Sequence, residues 1–127
     1  MCRNLLFLLA LALPSTGCLA AAAAGAAGGI YLTSRGAESV VEGSVDQVAS
    51  RAEAVMSDLG IVKEGESTEN QGDQHVLKGK KGDLDVSIEI RRESPSTAKV
   101  EVTARENLAE WDKEYAKEVL NRIVQKG

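Results

Sequence analysis

Cys18 is the residue best placed for covalent chemistry. It directly follows three small residues, Ser15, Thr16 and Gly17, at the end of an apolar run. Small residues at the end of an apolar run mark a cleavage site, which would put Cys18 at the new end of the chain. The other candidates are weaker. His75 is the single histidine, flanked by Val76 and Leu77 with no second nitrogen ligand, and reads as a strand surface residue. No nucleophile elbow accompanies it, so no Ser-His-Asp arrangement can be built. Asp83, Asp85, Ser87 and Glu89 form an acidic row suited to a hard cation, which needs six or more oxygens. The spaced Asp/Asn pattern of a calcium loop is missing, and Lys99 and Arg105 balance the row as a solvated sheet face would. Lys78, Lys80 and Lys81 surround Gly79 and Gly82 in a basic hairpin tip that could touch phosphate. It lacks the spacing of a phosphate loop and opens no helix. Trp111 and Tyr115 lie one helical turn apart, a spacing that favours core packing over a ligand-facing pair. Neither catalytic residue, cofactor site nor metal site is legible, and an enzyme is not expected.

The segment before Cys18 has the layout of an export signal. Residues 1–4 carry Arg3, residues 5–13 are nine apolar residues, and Pro14 ends the run. Nine helical residues cover roughly 14 Å, about half of a ~30 Å hydrocarbon core. The Ser-Thr-Gly-Cys run resembles the lipobox of bacterial lipoproteins. The resemblance implies cleavage before Cys18 and attachment of diacylglycerol and fatty acid, such as palmitate, to that residue. The position three before the cysteine is usually Leu in that family and is Ser15 here. Two acyl chains hold a protein stably at a membrane, whereas one gives only marginal binding. Leu19, where inner-membrane lipoproteins carry Asp, resembles the outer-membrane sorting pattern of diderm bacteria and implies a domain facing the periplasm. An alternative is an uncleaved span, because residues 5–32 run for 28 residues without a charge. Pro14 and the small residues weaken that alternative.

Residues 18–36 read as the lipidated cysteine followed by a Gly/Ala-rich tether, which cannot build a core. About 18 flexible residues reach on the order of 25 Å. Ile30, Tyr31 and Leu32 form an apolar island at its end. The island either meets the membrane interface, which favours aromatics, or docks on the domain. Loss of residues 1–17 removes one basic residue and makes the chain more negative than the −4 of the whole sequence. An acidic chain with 3% aromatics is a poor nucleic-acid binder, which needs a basic face and stacking platforms. Cys2 lies in the signal, so Cys18 is left without a disulfide partner.

Residues 37–127 are long enough for one small core. Residues 39–42 read as an edge strand. Ser44 and Gln47 make a capping box for a helix with Val45, Val48, Ala52, Val55 and Leu59 at helical spacing, closed by Gly60. Residues 61–63 form a short strand, 65–73 a polar loop, and 74–79 another strand turning through 79–82. Leu84, Val86, Ile88 and Ile90 alternate with polar residues, as do Val100, Val102 and Ala104. These two strands pair antiparallel across a loop of about five residues. Asn107 and Glu110 look like a second capping box, starting a helix that carries Leu108, Trp111, Tyr115, Val119 and Ile123 inward. The order β-α-β-β-β-β-α predicts an α+β two-layer sandwich: an antiparallel sheet of about four to five strands with both helices on one face.

The layout resembles a group of short bacterial lipoproteins of unknown function, with a lipobox, a Gly/Ala-rich stretch, a "YL"-like element and a small α+β domain. Residues 28–32, 44–60 and 99–124 carry the likeness. The resemblance implies a membrane-tethered envelope protein with no assigned catalytic residues. The expected role is a non-enzymatic binding module, held at the membrane by acyl chains on Cys18 and meeting an envelope protein partner. Alternatives are a module for a small molecule, lipid or ion, and a protein held by the uncleaved span.

Overall fold

The computed structural model describes residues 29–126. The export segment, Cys18 and most of the tether lie outside the described residues. The domain is an α+β fold with one open antiparallel sheet and two helices. Its elements are β1 (Tyr31–Leu32), β2 (Gly36–Glu42), α1 (Val45–Leu59), β3 (Val62–Glu69), β4 (Gln74–Lys81), β5 (Leu84–Ser94), β6 (Thr97–Arg105) and α2 (Lys113–Lys126). The spatial order is β1-β2-β6-β5-β4-β3, six strands where the sequence suggested four or five.

The elements with strong apolar periodicity form as expected. In β6 every second residue is buried: Ala98, Val100, Val102 and Ala104. In β5 the same face carries Val86, Ile88 and Ile90. The Ser44 hydroxyl accepts from the Gln47 amide at 3.1 Å, and the Gln47 side chain accepts from the Ser44 amide at 2.9 Å. Gly60 closes α1 at φ 75°, a left-handed conformation that costs glycine nothing. Both helices cover the apolar sheet face, α1 over β4 and β5 and α2 over β2 and β6. Val48, Val55, Met56, Leu120 and Ile123 complete the core. Gly79 permits a close approach here. A β-carbon there would lie 2.7 Å from Met56 Cε and 2.7 Å from the Val62 carbonyl.

Several boundaries differ from the sequence expectation. The strand at 39–42 is longer and is not the edge, because β1 pairs outside it at Tyr31↔Glu38 and Leu32↔Ala37. The apolar island therefore docks on the domain, with Ile30 packed against the core. Residues 65–69, expected as loop, continue β3. All of β3 except Gly65 is exposed, so its side chains carry no apolar alternation, and pairing with β4 alone makes it a strand. The β4–β5 turn is Gly82-Asp83 and not 79–82, since Lys80 and Lys81 pair with Asp85 and Leu84. The β5–β6 connection is two residues, closed by Ser94↔Thr97.

The start of α2 shifts most. Asn107 Oδ1 accepts from the amides of Ala109 and Glu110, and Asn107 Nδ2 donates to Glu110. Half of the expected box thus forms, since the Glu110 side chain meets Asn107 Nδ2 and not its backbone amide, and the motif closes a loop. Asp112 is the cap: its carboxylate accepts from the Tyr115 amide at 2.9 Å and its carbonyl from Ala116 at 3.1 Å. Leu108 and Trp111 consequently leave the helical stripe, and Leu108 is 88% exposed.

Candidate functional site: a groove across the open sheet face

Among the described residues, no element covers the face of the sheet opposite the helices. In an antiparallel ladder, residues directly opposite share a face. The register therefore fixes rows running across the strands. One row is Gly36, Thr103, Ser87, Lys78 and Gly65. These are small side chains apart from Lys78. The next row, two residues along each strand and about 7 Å away, is Glu38, Glu101, Glu89, Val76 and Ser67. On the other side of the small row stand Arg105 and Asp85. The small row is thus the floor of a transverse groove with one carboxylate wall.

The opposite wall is cationic and aromatic. Trp111 forms an isolated bridge with Arg105, which turns its indole onto the open face. The guanidiniums of Arg35 and Arg105 lie over the Trp111 ring at 5.5 and 5.4 Å from its centroid. At exposed sites such contacts contribute about 0.5–1 kcal/mol each. Arg105 also donates to the Asn107 carbonyl at 3.1 Å, fixing its head group beside the loop. Two adjoining depressions of about 350 and 300 Å³ occupy the groove. They share Lys78, Ser87 and Thr103. The first adds Arg35, Gln74 and the carboxylates Glu69, Glu89 and Glu101, among others; the second adds Arg105, Trp111 and the carboxylates Glu64 and Asp85. The volumes suit a small ligand, but the lining is far more polar than that of an ordinary ligand cleft.

Charge pairing on this face is uneven. Lys80 meets Asp85 at 3.4 Å, Lys99 meets Glu38 at 3.5 Å, and Arg91 meets Glu89 at 2.7 Å. Gln74 also donates to Glu89 at 2.6 Å. Among the described residues, no carboxylate lies within 4.0 Å of the charged groups of Arg35, Lys78 or Arg105. Glu101 likewise has no cation at that distance, although Glu38 and Glu89 flank it. Like charges directly opposite one another cost stability, so folding does not favour this row.

The sequence candidates fall in different places. Of the acidic row, Asp83 sits in the turn, while Asp85, Ser87 and Glu89 share the open face and line the groove, with Asp85 paired to Lys80. The basic tip divides too. Lys78 lines the groove, while Lys81 donates to the Leu59 carbonyl at 2.5 Å, at the negative end of α1. Trp111 faces the groove and not the core. Tyr115 is half-buried beside the core, and burial pushes its phenol up from its ordinary value, with Glu118 adding to the effect. His75 lies on the helix side of β4, opposite Ile90, with its side chain largely covered. Its Nε2 is 2.7 Å from Glu66. Lys63, and after it His75, hold the Glu66 carboxyl below its usual range, and Glu53 and Glu66 hold the Lys63 ammonium up. Among the described residues no group of three or more metal-capable side chains is placed to hold an ion. No described helix is long and apolar enough to cross a membrane.

Arg35 was missed in the sequence because it lies in the segment taken as tether. Its partnership with Trp111 depends on the β1–β2 turn, where Thr33 Oγ1 accepts from the Gly36 amide at 3.0 Å. No protein-family model, curated protein or solved structure matches the chain.

Proposed function

We propose that the protein is a membrane-anchored lipoprotein of the bacterial envelope, acylated on Cys18, whose domain is a non-enzymatic binding module. It presents the open face of its sheet to a partner or ligand beside the membrane. The observation that carries the binding reading is the groove itself. Folding buries the helix face and leaves the other face with a polar trough, a tryptophan and three cations that have no carboxylate partner among the described residues. The anchor reading rests on the run ending at Cys18 and on the Gly/Ala-rich segment behind it. It also places the chain with the short lipoproteins it resembles.

Two measurements test the two halves. Metabolic labelling with a fatty acid should mark the wild type and not Cys18→Ala; equal labelling would remove the anchor. A photo-crosslinking residue at Thr103, in the groove, should capture material from intact envelopes. The same residue at Lys117, exposed on α2, should capture little. Capture at both positions alike, or at neither, would overturn the groove as the working face.

A further inference from the structure

We propose that the groove is a site for a short aminoalkyl phosphate: a phosphoryl group seated among Arg35, Lys78 and Arg105, with its ammonium against Glu89 and Glu101. This deepens the binding reading above and rests on it. The phosphoryl half follows from the unpaired cations. Lys78 reaches the floor from β4, while Arg35 and Arg105 reach it from the opposite wall. The Ser87 and Thr103 hydroxyls between them can donate to an oxyanion. Two guanidiniums with rigid forks match phosphate geometry better than lysines alone. Their stacking on Trp111 limits the rotamer freedom lost on binding.

The ammonium half follows from the neighbouring row. Glu89 and Glu101 are opposite one another, two residues along the strands from Ser87 and Thr103, so about 7 Å separates the two charge rows. A dianion or a second phosphate placed here would meet those carboxylates and be repelled. A cation at the same distance relieves the Glu89–Glu101 repulsion. The groove thus selects for opposite charges on one short ligand, and discriminates against plain anions. Such a ligand exists both free and as the head group of a zwitterionic phospholipid.

Trp111 is the only tryptophan, so its fluorescence reads the groove directly. The purified full chain, in detergent without phosphate or amine, is titrated with phosphoethanolamine, inorganic phosphate and ethanolamine. Phosphoethanolamine should give a saturable change, phosphate one about tenfold weaker, and ethanolamine none. Each lost charge-assisted contact costs about tenfold in Kd. Lys78→Gln or Arg105→Gln should therefore weaken both phosphate-bearing probes about tenfold. Glu89→Gln with Glu101→Gln should bring phosphoethanolamine down to the level of phosphate and leave phosphate no weaker. Vesicles of phosphatidylethanolamine distinguish the sources: a response that soluble phosphoethanolamine competes away shows that the site takes either form, and a response to vesicles alone assigns it to the lipid. No saturable response to phosphoethanolamine or to vesicles overturns the proposal, as does phosphate binding equal to phosphoethanolamine, or a response unchanged in Lys78→Gln. Partner capture at Thr103 without any such response would overturn this ligand and leave the binding face standing.

Discussion

Ile88 and Glu89 are adjacent in β5 and lie on opposite faces of one sheet. Ile88 is fully buried beneath the helices, among valines, isoleucines and alanines. Glu89 stands in a row of three carboxylates above a trough floored by Ser87 and Thr103. The helix face follows the rules of packing: beneath the helices it is aliphatic and closed, and charge is confined to its margins, where Lys63 of β3 pairs with Glu53 of α1 and Arg92 with Asp73. The open face departs from those rules. It places like charges opposite one another, leaves three cations without an acid partner among the described residues, and holds the only tryptophan outside the core. The difference separates what the chain needs to fold from what it does not. Aromatics make the point again. Tyr31 is 62% exposed and Trp111 faces the groove, while every fully buried large side chain is aliphatic or methionine.

Substitutions can break or sharpen this contrast. The largest effect belongs to the helix face: Ile88→Ala should cost about 3 kcal/mol and lower Tm by roughly 12–20 °C. Glu89→Ala, one residue away, should change stability by less than about 0.5 kcal/mol. Urea denaturation of the pair measures both, and equal losses would dissolve the distinction between the faces. Tyr115→Phe comes next. The phenol oxygen is buried with no hydrogen-bond partner among the described residues, so removing it should stabilise the domain by about 1 kcal/mol. Because burial raises the phenol's pKa, the folded form holds its proton more tightly than the unfolded form. Wild type should therefore lose stability as pH climbs past about 10 through the raised value, and the Phe variant should lose less.

Trp111→Ala should destabilise by only about 1 kcal/mol, the combined worth of its two exposed cation–π contacts at the low end of their range. A loss comparable to Ile88→Ala would show Trp111 to be a core residue after all. The smallest effect is at the margin of the helix face. The lowered pKa of Glu66 gives stability that is present at neutral pH and lost as pH falls through that value. Denaturation from about pH 5 down to about pH 2 should show a slightly shallower acid limb in Glu66→Gln than in wild type.

Legibility in the sequence divided along the same line. The strands β5 and β6 and the helix α1 could be read because half-burial writes a period into their residues: Val86-Ile88-Ile90 at two, Val48-Ala52-Val55 at helical spacing. Only the start of β3 could be read, at 61–63, because its side chains carry no apolar alternation and pairing with β4, together with the Lys63–Glu53 ion pair to α1, holds the rest. The start of α2 was misplaced since Asn107 and Glu110 make real capping bonds around a loop, and only the Asp112 bonds reveal the helix. The groove was least legible of all. Its rows run across strands, from Thr103 to Ser87 to Lys78, and exist only once the register is known. Reading along β5 groups Asp83 with Asp85 and Glu89, whereas the structure puts Asp83 in the turn and brings Asp85 and Glu89 to the groove from one strand face.

The brevity of β1 has a mechanical consequence. It is the end of the sheet nearest in sequence to the Gly/Ala-rich segment, and two residue pairs hold it to β2. The Ser39 hydroxyl adds one bond, to the Gly29 carbonyl at 2.7 Å. Because β1 and β2 are joined by the turn carrying Arg35, tension on the chain before Gly29 opens these contacts one after another, as a zipper, and does not shear them together. Such a seam yields at low force. The first piece of the domain to come loose under load is therefore the piece that holds Arg35 against Trp111, while the helices and the four strands from β3 to β6 stay in place.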